Sequence, residues 1–80
     1  MTFYKILSYP EQDAVLIRNG CFLELLFEYD GNVIKAVRRV SSREEAAELF
    51  EQIDESDDSF HQQMLSIISE MESMKNRRAG

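Results

Sequence analysis

The sequence is short of most residues from which small catalytic and metal-binding sites are built. It has one cysteine, Cys21, so no internal disulfide can form, and it has no Cys/His spacing of the kind that holds structural zinc. Its one histidine, His61, lies on a different segment from Cys21, with no motif around either residue. The three glycines fall in turns or at the terminus, which leaves no glycine-rich loop to cradle a phosphate. No run approaches the roughly 18 apolar residues of a membrane span, and the first residues lack the basic start and apolar stretch of a signal peptide. A cytoplasmic location is therefore expected. Positive charge is scarce too: 9 Lys+Arg against 15 Asp+Glu give a formal charge of -6. That balance argues against general affinity for nucleic acid, whose phosphates would repel the chain, and towards a basic partner.

What is present is enough to fold. The 80 residues are 44% apolar with a single proline, a composition too apolar for a disordered chain and too short for more than one domain. Residues 1–76 are expected to form one α+β domain, with 77–80 a frayed tail. The hydrophobic period changes midway: residues 1–40 look like strands and 42–76 like helices. Thr2–Ser8 is rich in aromatic and branched residues and ends before Tyr9-Pro10, where proline removes a backbone donor. Ala14–Arg18 and Cys21–Tyr29 follow. Asn19-Gly20 and Asp30-Gly31 have the composition of two-residue hairpin turns. The order implies a four-stranded antiparallel meander followed by two helices packed on one face (ββββαα).

Register follows by arithmetic. A turn at Asp30-Gly31 opposes Phe27 to Ile34, Leu25 to Ala36 and Cys21 to Val40 on a nearly all-apolar face. The other face pairs Glu28 with Val33, Leu26 with Lys35, Glu24 with Val37 and Phe22 with Arg39. A turn at Asn19-Gly20 opposes Leu16 to Leu23 and Ala14 to Leu25 on the apolar face, and Ile17 to Phe22 and Val15 to Glu24 on the mixed one. Both turns select the same core face, which a slip of one residue would destroy.

The helices are marked by their ends. Ser42-Arg43-Glu44-Glu45 has the form of a capping box, in which Ser42 accepts a free amide and Glu45 reaches back to the Ser42 amide. The first helix runs to about Asp54 and carries Ala46, Leu49, Phe50 and Ile53 on one stripe. Glu55–Ser59 is a polar break that offers a cap and negative charge to the next helix. That helix carries Phe60, Met64, Ile67, Ile68, Met71 and Met74 at helical spacing, and its methionines are expected to fill core gaps.

No catalytic constellation emerges, and no enzyme activity, cofactor or metal is expected. Cys21 is expected to be buried and inert, and His61 to be a solvated polar position. Glu44/Glu45 and Asp57/Asp58 belong to helix starts, where carboxylates are stabilised. Lys35, Arg38, Arg39 and Arg43 form a local basic cluster. The favoured reading pairs Lys35 and Arg39 with Glu24 and Glu28 across the strands, so no direct nucleic-acid contact is expected. The strongest functional clue is the mixed face. With both helices on the other side, Val15, Ile17, Phe22, Leu26, Val33 and Val37 remain outside among Glu24, Glu28, Lys35 and Arg39, and soluble monomers rarely show such a contiguous apolar patch. The expectation is contact with another protein or with a second copy, so the chain is read as a monomer or a homodimer.

Several short motifs together resemble the small type I-F inhibitors among the phage anti-CRISPR proteins. They are Met1-Thr2-Phe3-Tyr4-Lys5-Ile6-Leu7-Ser8, the Asn19-Gly20 turn after a short apolar strand, Ala36-Val37-Arg38 before a serine-capped helix ending Glu48-Leu49-Phe50, and an arginine-rich tail. The resemblance implies a non-enzymatic inhibitor acting inside the bacterial host. It would bind backbone subunits of a type I Cascade surveillance complex and hinder pairing of target DNA with the guide RNA. In that family two tyrosines and a glutamate on the sheet contact lysines of the subunit. The glutamate position matches Glu28, while Ile6 and Ile17 stand where the tyrosines would be. Combined with the face reading, the expected partner-binding residues are Ile6, Ile17, Phe22, Glu24, Leu26, Glu28 and Lys35.

Overall fold

A computed structural model describes residues 2–56 and 58–79, with only the backbone of Asp58 and of 77–79. Four strands, β1 (Thr2–Ser8), β2 (Asp13–Asn19), β3 (Phe22–Tyr29) and β4 (Asn32–Arg39), precede two helices, α1 (Arg43–Gln52) and α2 (Asp58–Ala79). The strands pair antiparallel in the order β1-β2-β3-β4, a plain meander. The expected ββββαα architecture is the one observed.

Turn chemistry sets the hairpins. Asp30 and Gly31 both have positive φ, 52° and 80°, the requirement of a type I′ turn, and β3 and β4 pair in the expected register from Phe22↔Arg39 to Glu28↔Val33. The expected Cys21–Val40 pairing survives as a hydrogen bond from the Val40 amide to the Cys21 carbonyl, 2.8 Å. The β2–β3 hairpin differs from expectation. Its turn residues are Gly20 and Cys21, not Asn19 and Gly20, and the pairing runs from Val15↔Leu26 to Asn19↔Phe22. Gly20, with φ 62°, takes the first central position, the place where a type II′ turn demands glycine. The register therefore slips by two residues, pairing Leu16 with Leu25 and Ile17 with Glu24. Because side chains alternate with period two, this slip leaves every residue on its expected face.

The core lies between one sheet face and the helices. Leu7, Ala14, Leu16, Leu23, Leu25, Phe27 and Ala36 meet Ala46, Phe50, Ile53, Phe60 and Met64, all buried. Cations border this layer by stacking: Lys5 Nζ lies 4.9 Å from the Phe50 ring centroid and the Arg38 guanidinium 4.2 Å from that of Phe60. The apolar stems of these side chains extend the core while their charged heads stay near water.

Only half of the capping box forms. Ser42 Oγ accepts the Glu45 amide at 3.1 Å, but the Glu45 carboxylate accepts the Ser41 hydroxyl rather than the Ser42 amide. Helix α1 stops at Gln52, where Ile53 turns extended (ψ 125°) and drops its side chain into the core, two residues before the expected end. Asp54 then accepts the Ser56 amide at 2.8 Å, a local turn of the kind short acidic side chains favour, and Glu55 accepts the Ser8 amide at 3.1 Å, tying the loop to β1. Of the polar break Glu55–Ser59, expected to offer the cap of α2, Asp57 lies outside the described residues. Helix α2 continues to Ala79, so it includes three residues of the segment read as a tail; Gly80 lies outside the described residues. Phe60 and Met64 are buried, Met71 is half-buried and Met74 is exposed, so the methionine stripe leaves the core as α2 reaches the β3–β4 turn, where Met71 and Met74 border Tyr29 and Asn32.

Candidate interaction surface

The sheet face opposite the helices carries Thr2, Tyr4, Ile6, Ser8, Asp13, Val15, Ile17, Asn19, Phe22, Glu24, Leu26, Glu28, Val33, Lys35, Val37 and Arg39, as strand parity dictates. Its centre is two cross-strand rows: Tyr4-Ile17-Glu24-Val37 and Ile6-Val15-Leu26-Lys35. Among the described residues, no element lies over them. Tyr4 is 72% exposed, Val33 70% and Ile6 61%, and Phe22 and Val37 are exposed as well. Val15, Ile17 and Leu26, on the two inner strands, are half-buried among their cross-strand neighbours. Ile6, Val15, Leu26, Glu28 and Val33, together with Asp13, Ala14 and Phe27, line a shallow apolar depression on the β1 to β4 surface. An uncovered apolar sheet face of this extent is the molecule's main departure from the surface of a soluble monomer.

All seven residues expected at the interface belong to this one face. Ile6, Phe22, Glu28 and Lys35 are at least partly open to solvent, and Ile17, Glu24 and Leu26 form its floor. Lys35 Nζ contacts Glu24 Oε1 at 3.3 Å, as expected, but the expected partnership of Arg39 with a face glutamate does not form. Glu28 has no ion-pair partner among the described residues. Sequence reasoning missed Tyr4, the most exposed large hydrophobic side chain among the described residues. Its parity with Ile6 on the same strand was the available signal.

The two residues considered for chemistry sit elsewhere. Cys21 is half-exposed in the β2–β3 turn rather than buried, because the two-residue slip takes it off the strand. His61 is not merely solvated: its ring stacks on Tyr9 at 4.5 Å and 3°, and Nε2 lies 2.6 Å from Glu11 Oε1. That hydrogen bond, then one from the backbone, holds the Glu11 carboxyl below the ordinary glutamate range. The pair clamps the β1–β2 loop to the start of α2, while the Lys75–Asp30 pair, 3.5 Å, attaches the far part of α2 to the β3–β4 turn. Beside it, desolvation and then the Glu72 charge push the Tyr29 phenol above its usual value. No group of three or more His, Cys, Asp or Glu side chains suited to a metal occurs among the described residues, and no described helix is long and apolar enough to cross a membrane. Comparison of the chain with protein-family models, with curated proteins and with solved structures finds no match.

Proposed function

We propose that the protein acts by binding, and that the open sheet face is its contact surface. The carrying observation is the uncovered apolar layer of Tyr4, Ile6, Val33 and Val37 beside the unpaired Glu28. Apolar anchors surrounded by a few charges are the composition of a protein-binding patch, where burial supplies affinity and the charges select the partner. In its specific form, the reading is an anti-CRISPR inhibitor in the bacterial cytoplasm that occupies a backbone subunit of a type I Cascade and hinders target DNA from pairing with the guide. Glu28 would meet a lysine of the subunit. Ile6 and Ile17 stand where the resembled family has tyrosines, but Tyr4 lies opposite Ile17 and on the same strand face as Ile6, so a phenol is available between those positions. Co-purification with a type I Cascade and recovery of phage plating on a CRISPR-immune host would support this form. Absence of both would remove it, while loss of only the Tyr4→Ala or Glu28→Lys protein from the complex would locate the contact.

A second reading, self-association, is favoured by the charge layout. Glu28 lies at one end of the face and Arg39 at the other, so two faces stacked with strands reversed bring unlike charges together. Light scattering distinguishes the readings: a monomer that persists to high concentration rejects the dimer.

A further inference from the structure

The sheet end that carries the β2–β3 turn gathers four of the six arginines of an otherwise acidic chain. Arg18 lies near the end of β2, Arg38 and Arg39 close β4, and Arg43 opens α1. Arg38 is engaged, stacked over Phe60 and donating to Ser59 Oγ at 2.5 Å. Arg18, Arg39 and Arg43 have no carboxylate at ion-pair distance among the described residues. These three border two adjoining clefts that share Asn19, Gly20 and Arg43. Phe3 and Arg18 complete one, of about 280 Å³, and Cys21, Phe22 and Arg39 complete the other, of about 370 Å³. No acidic side chain lines either cleft.

We propose that this end of the molecule is an oxyanion site for a diphosphate-type ligand, with one phosphate group between Arg18 and Arg43 and the next between Arg39 and Arg43. Arg18 is held for this role: its guanidinium stacks on Phe3 at 4.1 Å and lies 5.9 Å from Phe50, which fixes the plane and leaves N–H edges to donate. Arg43 stands at the positive end of the α1 dipole. Glu44 and Glu45 follow it and lower the local potential, but they border neither cleft. Two guanidiniums per cleft favour phosphate over carboxylate. One bidentate arginine already satisfies both oxygens of a carboxylate, whereas a phosphate group keeps acceptors for a second. Asn19 adds an amide between the two positions. Its second cleft shares Asn19, Phe22 and Arg39 with the end of the open face, whereas Arg18 and Arg43 lie off that face, so loss of binding at Arg43 with none at Lys35 separates the site from docking there.

The test is an amide-shift titration of the full chain with sodium pyrophosphate at constant ionic strength. Saturable shifts at Asn19–Phe22 and Arg39–Arg43 are expected, with Asp30-Gly31 and Lys75 unmoved. Arg43→Gln, an exposed position that should leave the fold intact, is expected to weaken binding about tenfold or more, since it removes charge-assisted bonds from both clefts. Arg43→Lys should recover only part, and Lys35→Gln on the open face none of the loss. Shifts that never saturate, that spread over all the basic residues, or that ignore Arg43→Gln would overturn the proposal. A tetraglutamate peptide that binds more tightly than pyrophosphate would also overturn it, in favour of an acidic protein segment.

Discussion

Truncating Leu25 to alanine separates the two faces of the sheet more sharply than any other single change. Leu25 is fully buried at the centre of the core face, between Leu16 on β2 and Ala36 on β4. Removing its three outer carbons forfeits about 0.8 kcal/mol of transfer energy for each, and a rigid neighbourhood adds a cavity term, for a loss of about 3–5 kcal/mol. A domain of this size has roughly 4–12 kcal/mol of net stability, so the variant should lose a quarter or more of it. In a urea titration followed by far-ultraviolet dichroism, the midpoint should fall by about 3–5 M if the slope is near 1 kcal/mol/M, and the slope itself should hold. Ile6→Thr with Val37→Thr is the matching change on the opposite face. Both positions are exposed and threonine keeps the strand preference, so stability should stay within about 1 kcal/mol of the parent while partner binding fails. A Leu25→Ala protein that loses less than about 1 kcal/mol, or a double threonine protein that loses more than about 2, would mean that the core and open faces have been exchanged.

The remaining predictions concern turns, caps and titration. Gly20→Ala meets no atom within 4 Å, so its cost should be purely conformational, about 1–2 kcal/mol for an L-residue at φ 62°, and D-alanine at the same position should be tolerated; equal loss with both would point to a hidden steric contact. Ser42→Ala should cost about 1 kcal/mol by freeing the Glu45 amide, measurable in the same urea titration, with Ser42→Asp restoring it. The folded-state pKa of Glu11 lies below its unfolded value, so its contribution is complete above the ordinary glutamate pKa of roughly 4.3 and disappears as pH falls through the lower folded value. Glu11→Gln should therefore flatten the acid limb of the stability profile below about pH 4.5, and an unchanged limb would show that the His61 contact does not hold in solution.

Much of the candidate site was legible because strand faces depend on parity alone. The registers drawn from Asp30-Gly31 and from Asn19-Gly20 put each strand residue they paired on its observed side, even though the second turn was placed one residue too early. A turn moved by one position shifts pairing by two residues, and two is the period of a strand, so the error cancels on the faces and survives only in the partners. The partners then mattered for Cys21, which left its strand for the turn. Tyr4 was missed for another reason: the resemblance directed attention to Ile6 and Ile17, although Tyr4 shares their face.

The sequence by itself determined the order of strands and helices, the core stripe of α1, the serine cap and the existence of an apolar face with no helix to cover it. These are local properties, set by periods of two and 3.6 residues and by the φ demands of glycine. The tertiary structure alone decided which charges meet. It kept the Lys35–Glu24 pair that strand register implied but left Arg39 free beside Arg43, stacked His61 on Tyr9 against Glu11, and brought α2 to the β3–β4 turn with Met74 exposed there. Such contacts join residues up to 52 positions apart, as Tyr9 to His61, and no local pattern encodes the angle at which a helix crosses a sheet. Phe50, Phe60 and Met64 share one close-packed core with Leu16 and Leu25, and it is such packing, not local sequence, that places the helices and the long polar side chains they carry.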